Sequence, residues 1–93
     1  MTNQSLPEKY ILEPILVLFD QAMLSLYLSR QSQKDQERLK QAQVAQKRFR
    51  NVLSELEKLC VVVPEMEQDE IWKFWREETH RNLKLIEEDI SQL

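Results

Sequence analysis

Glu77-Glu-Thr-His80 is the first set of residues in this chain that could carry chemistry. It has the Glu-x-x-His spacing that supplies a carboxylate and an imidazole to di-metal sites in helical bundles. Such a site needs two of these motifs and further carboxylates, whereas the chain contains one motif and a single histidine. On a helix His80 would also lie beside Lys73, Arg76 and Lys84, away from the apolar stripe. We therefore predict a solvated histidine and no metal site.

Cys60 is the second candidate, and as the only cysteine it cannot form a disulfide within the chain. It shares an apolar stripe with Leu53 and Leu56, where a free cysteine is usually a small buried apolar residue rather than a nucleophile. The chain contains no glycine and hence no Gly-rich phosphate loop. We predict no catalytic residue, no cofactor and no enzymatic activity; an enzyme built from carboxylates and arginines alone is the third-ranked alternative.

A run of basic residues is the third candidate, because no acidic residue occurs between Leu39 and Ser54. Its cations could follow a row of phosphates. The acidic isoelectric point, about 5.2, and the lack of a Gly-containing helix-turn-helix turn favour a solvated face or a docking strip for an acidic helix instead. The candidate phosphate-binding residues are Arg38, Lys40, Lys47, Arg48 and Arg50.

Length and composition limit the architecture that positions these residues. The 93 residues suffice for one domain, and a chain with no Gly and three Pro lacks the turn residues that hairpins need. The fold class predicted is all-α, with residues 1–93 forming a single helical domain. Without a signal sequence or an unbroken apolar span, we expect a cytoplasmic protein that does not enter a membrane.

Charge is distributed unevenly within the net value of −3. Residues 1–29 carry a net charge of −2, residues 30–64 carry eight basic against four acidic residues, and residues 65–93 carry four basic against nine acidic residues. Segments of opposite sign attract one another within a chain or between two copies. This distribution favours assembly over nucleic-acid binding.

Capping residues, prolines and the periodicity of apolar residues predict three helices. A capping box at Ser5–Glu8 opens helix 1, predicted over about 6–29 with a kink or break at Pro14. Helix 2 is predicted over about 34–62, and helix 3 over about 65–92 behind Pro64 and several carboxylates.

Each predicted helix has an apolar face. Helix 2 has a heptad stripe (Leu39, Ala42, Gln46, Phe49, Leu53, Leu56, Cys60 and Val63), and helix 3 has another (Trp72, Trp75, Thr79, Leu83, Ile86, Ile90 and Leu93). Helix 1 has a broad main face made of Ile11, Leu12, Ile15, Leu16, Leu18, Phe19, Ala22, Met23, Leu26 and Tyr27.

Helix 1 also carries a second apolar strip opposite its main face, made of Val17, Leu24 and Leu28. A three-helix monomer would leave this strip in water, and such strips mark interfaces; coverage by the polar connection or by a bend at Pro14 is the alternative. Phe74 and Leu85 project from the far side of helix 3, either as scattered surface residues or as a smaller contact for a partner. We expect an antiparallel three-helix unit that forms a larger bundle by homodimerisation. Its predicted function is that of an adaptor, assembly factor or regulatory subunit that binds itself or another protein; a nucleic-acid-associated regulator is the alternative.

Overall fold

The structure, a computed structural model, describes the backbone of residues 5–93 and the side chains of residues 11–93. It is all-helical, with α1 at Ser5–Gln31, α2 at Asp35–Val62 and α3 at Glu70–Ser91. A short 3₁₀ segment at Pro64–Gln68 links α2 to α3, and residues 5–93 contain no strand. The predicted all-α class with three helices is confirmed. The capping box at Ser5–Glu8 lies outside the described side chains.

The three helices run up, down and up along a rod with Cα extents of 54 × 17 × 17 Å. The Ser29 hydroxyl, near the end of α1, donates to the Arg38 carbonyl near the start of α2 (2.9 Å), so these two helices are antiparallel. On α3, Trp75 packs against Phe19 with ring centroids 5.0 Å apart, and Asp89 binds Arg30. Because both contacts follow the same order along the two helices, α3 runs parallel to α1.

Helix α1 continues through Pro14, so of the predicted kink or break the structure excludes the break. Proline removes one backbone donor from the helix and normally interrupts it. Here the flanking residues Leu12 and Ile15 are both buried, while Pro14 itself is exposed. Packing of the residues on either side offsets the missing hydrogen bond.

Helix α3 begins at Glu70, not near residue 65 as predicted. The Asp69 carboxylate accepts hydrogen bonds from the backbone N–H groups of Ile71 (2.9 Å) and Trp72 (3.0 Å), which makes Asp69 the N-cap. Upstream, the N–H of Met66 donates to the carbonyl of Val63, a spacing of three residues typical of a 3₁₀ turn. This 3₁₀ turn forms the α2–α3 connection, and its Met66 side chain is buried in the core.

The core lies along the axis between the three helices. Three aromatic rings, packed edge to face, fill the middle of the core. The ring centroid of Phe19 lies 5.4 Å from that of Phe49 and 5.0 Å from that of Trp75. On α2 the buried side is rotated slightly from the predicted stripe, because Ala45 and Val52 are fully buried. The buried apolar residues are Leu12, Ile15, Phe19, Ala22, Leu26, Ala42, Ala45, Phe49, Val52, Leu56, Met66, Trp72 and Ile86.

The buried side of α1 differs from the predicted main face. Met23 and Tyr27 belong to the predicted main face but are 38% and 59% exposed, whereas Ser25 and Ser29, which were not assigned to that face, are 2% and 3% exposed. Small residues on α1 allow α2 to approach closely, as the Ser29 bond to the α2 backbone requires. This close approach turns the serines inward and leaves the larger Met23 and Tyr27 side chains outside.

Candidate interaction surface on α1 and the α1–α3 groove

The outer side of α1 presents an apolar surface to solvent, which we call the exposed α1 face. Its side chains are 38–59% exposed. At about 100° per residue they lie within an arc of about 140° on the helix. The face contains the predicted Val17, Leu24 and Leu28 and adds Met23 and Tyr27, which are exposed because α1 turns its serines inward.

The exposed α1 face borders a groove between α1 and α3. The Arg30 guanidinium and the Asp89 carboxylate meet across this groove, with Nε and Oδ2 3.0 Å apart. On each helix, a row of apolar side chains lies within about 60° of the residue that forms this ion pair. The row is Leu16, Met23 and Tyr27 on α1, and Ile71, Phe74 and Leu85 on α3. We call this feature the α1–α3 groove.

The groove places Phe74 and Leu85, which were predicted as a separate contact, beside the α1 surface. Phe74 is 53% exposed and stacks edge-on against Trp75, with ring centroids 5.1 Å apart, while Leu85 is half-buried. Since Trp75 also contacts Phe19 of α1, Phe74 lies at the edge of the core on the α1 side. Phe74 and Leu85 therefore lie on the side of α3 that faces α1.

Ile71 was missed by the sequence analysis, although its position on α3 could have indicated it. It lies one turn before Phe74 and Trp75, on the side of the helix that carries Asp89. Val61 and Val62, at the C-terminal end of α2, are 81% and 78% exposed and were assigned no role. They lie beyond the core stripe of α2, at the opposite end of the rod from the α1–α2 connection.

The five candidate phosphate-binding residues do not share one face. Lys40, Lys47 and Arg50 are exposed on the outer side of α2. Arg48 instead turns toward α1, where its Nη1 donates to the Ser25 hydroxyl (2.9 Å) and to the Gln21 carbonyl (3.3 Å). Arg38 is half-buried at the start of α2. The structure thus places Lys47, Arg48 and Arg50 around one shallow depression on α2, and Arg48 also joins this helix to α1.

Cys60 borders a shallow depression between the end of α2 and the start of α3. Glu57, Glu67 and Lys73 line this depression, together with Trp72 and Arg76, whose guanidinium carbon lies 5.7 Å from the Trp72 ring centroid. Burial raises the pKa of the Cys60 thiol, and the nearby Glu67 carboxylate raises this pKa further. The thiol is therefore protonated at neutral pH, which disfavours a role as nucleophile.

His80 is exposed on α3. Within the part of the chain that the structure describes, no three His, Cys, Asp or Glu side chains are grouped in a way that could hold a metal ion.

Helix α1 also has the length and composition of a membrane span between Ile11 and Gln31. Buried core helices of soluble proteins and N-terminal signal sequences share these properties, and 33% of the apolar window is buried against the other helices. This contrasts with the prediction that the chain has no apolar segment able to span a membrane, and most of the window is exposed in the isolated chain.

No protein-family model, curated protein or solved structure matches the chain significantly. The exposed α1 face and the α1–α3 groove are the features from which a function can be argued.

Proposed function

We propose that the chain is a non-enzymatic protein–protein interaction module that works through its exposed helix faces, with a second copy of itself as the first partner. The exposed α1 face carries this proposal. Five apolar side chains on one helix, each at least 38% exposed, form a patch on the order of 500 Å². The largest apolar patch on a typical monomer is about 300–600 Å² and is often functional, so this patch is a candidate binding surface.

The size of the chain supports self-association. A domain of this length buries only about 60–65% of the surface that its unfolded chain exposes, so its core is thin. Covering the exposed α1 face with a second copy would add apolar burial at about 25 cal/mol per Å². Two three-helix units joined through α1 would form a larger helical bundle, which is an ordinary architecture for homodimers.

The substitution Leu24→Asp tests this proposal. Leu24 is 55% exposed in the isolated chain, so the variant should keep the fold, while an interface would have to bury two unpaired carboxylates. We expect the dissociation constant of the dimer to rise at least about 30-fold, as for a central interface residue. Sedimentation equilibrium measures this change, and circular dichroism checks that the helix content is unchanged.

Gln43→Asp is the matched control, because Gln43 is an exposed residue on the outer side of α2. This variant introduces the same charge and should dimerise like the unmodified chain. Equal dissociation constants for both variants would contradict the proposal. Unfolding of Leu24→Asp would also contradict it, because Leu24 would then belong to the core of a single chain.

Nucleic-acid binding through α2 is the second candidate function. Lys40, Lys47 and Arg50 favour it, since these exposed cations take part in no salt bridge with the side chains of residues 11–93. Phosphate binding by such residues weakens steeply as salt rises.

Lys40→Glu combined with Lys47→Glu tests this second function. We expect the double variant to lose affinity for a short DNA duplex at low salt while keeping the helix content of the unmodified chain. Fluorescence anisotropy at two salt concentrations measures the affinity. If the unmodified chain binds with no salt dependence, or if the double variant binds equally well, α2 is not a phosphate-binding surface.

A further inference from the structure

Asp20 and Arg30 flank the C-terminal part of the exposed α1 face, with the negative charge before it and the positive charge after it. Its four central apolar residues (Met23, Leu24, Tyr27 and Leu28) are centred between positions 25 and 26 of the helix. Asp20 lies about one and a half turns before this centre, and Arg30 lies just over one turn after it. Asp20 is exposed and forms no salt bridge with the side chains of residues 11–93.

We propose that two copies pair through antiparallel α1 helices, about a two-fold axis that passes through these four apolar residues, so that Asp20 of each copy meets Arg30 of the other. This inference rests on the proposed function and gives its partner a definite arrangement. A two-fold axis at the centre places residue 20 opposite residue 31 of the second copy. Arg30 is about 1.5 Å from residue 31 along the axis and about 100° from it around the helix, so its long side chain has to extend back toward the interface to reach Asp20. Apolar residues then meet apolar residues in the middle, and opposite charges meet at both ends.

A parallel arrangement would bring like charges together. In register, Asp20 would face Asp20 of the second copy, and Arg30 would face Arg30. Like charges at such positions are destabilising, whereas opposite charges select a partner and its orientation. Charge complementarity along α1 therefore favours the antiparallel arrangement.

Arg30 can bind a second carboxylate while it keeps its bond to Asp89. Its Nε donates to Asp89 Oδ2 at 3.0 Å, and its side chain is 48% exposed. A guanidinium group has five N–H donors, so the two Nη groups remain able to donate to Asp20 of a second copy. The ion pair across the α1–α3 groove would also hold Arg30 in position for this contact.

Asp20→Asn distinguishes the two arrangements by the sign of its effect. In the antiparallel dimer the substitution removes two attractive pairs, so we expect the dissociation constant to rise about 3- to 10-fold at low salt and less at high salt. In a parallel dimer it removes a repulsion, so the dissociation constant would fall. Glu87→Gln is the matched control, because it removes one exposed carboxylate from another side of α3 and should change nothing.

Distances between spin labels test the geometry independently. Single cysteines at Glu13→Cys or Gln33→Cys, each in a Cys60→Ser background, place one label in the N-terminal half of α1 and the other just beyond its C-terminal end. In the antiparallel dimer, two labels at residue 13 lie about 37 Å apart along the axis, whereas a mixed dimer labelled at 13 and 33 brings the labels within about 8 Å along the axis. A parallel dimer gives the reverse order, with the mixed pair about 30 Å apart.

Each outcome has a definite meaning. Weaker association of Asp20→Asn together with the short mixed distance supports the antiparallel pairing. A dimer in which Asp20→Asn is tighter or unchanged, or in which identically labelled copies give the short distance, overturns the pairing while the interaction function stands. A chain that stays monomeric at every concentration overturns both the pairing and self-association.

Discussion

Arg48 illustrates how a single side chain can have a different role from the one its neighbours in sequence indicate. Within a run of cations it resembles a phosphate ligand, but its guanidinium binds the Ser25 hydroxyl and the Gln21 carbonyl of α1. Ser25 is only 2% exposed, and a buried hydroxyl needs a hydrogen-bond partner. Sequence periodicity places Arg48 on α2 but does not say which helix packs beside it, so this contact could not be predicted.

Arg48→Ala should lower the free energy of unfolding by about 1–2 kcal/mol, because it removes a charged donor from the buried Ser25 hydroxyl. Urea denaturation followed by circular dichroism measures this change. Lys47→Ala is the control, since Lys47 is exposed and forms no hydrogen bond with the side chains of residues 11–93, and it should stay within about 0.5 kcal/mol of the unmodified chain. Equal stability of the two variants would show that the Arg48 contact contributes nothing.

At the scale of the elements, the pattern of small residues determines how α1 sits against α2. Ala22 on α1 and Ala42 and Ala45 on α2 are 0% exposed, and the buried serines extend this row of small side chains. The apolar periodicity of α1 predicts the exposed Val17, Leu24 and Leu28 correctly. It misplaces Met23 and Tyr27, because hydrophobicity alone ranks them above serine for the core, whereas close helix packing favours the smaller side chain.

The ends of the elements were also only partly predictable. Three helices follow from composition and from the positions of the prolines. The start of α3 does not, because Pro64 and the carboxylates after it are compatible with an α-helix, and only the Asp69 cap and the burial of Met66 select a 3₁₀ turn first. At Pro14 the sequence predicts an interruption that does not occur, because packing keeps α1 continuous although proline normally interrupts a helix.

Ala45→Leu should separate α1 from α2 and lower the free energy of unfolding by about 1–3 kcal/mol, since a fully buried alanine leaves no room for a larger side chain. Thermal unfolding measures this loss. Val44→Leu is a suitable comparison on the adjacent, half-buried position and should be nearly neutral. If Ala45→Leu were as stable as the unmodified chain, the two helices would not be closely packed there.

At the scale of the whole molecule, one helix accounts for both the core and the proposed interface. Helix α1 buries one side between α2 and α3 and exposes apolar residues on the other, which explains why its composition resembles that of a membrane span. Phe74 and Leu85 lie on the side of α3 that faces α1. Sequence periodicity predicted the exposed strip of α1, but which side of α3 faces α1 depends on the direction of α3 and became evident only in the assembled bundle.

Absolute mass in solution, measured by light scattering on a sizing column over a wide range of concentration, tests most directly whether the exposed α1 face is an interface between copies. We expect the mass of the unmodified chain to rise from 11.2 kDa toward twice that value with increasing concentration, without a change in helix content. A mass that remains at 11.2 kDa at every concentration would contradict self-association through α1.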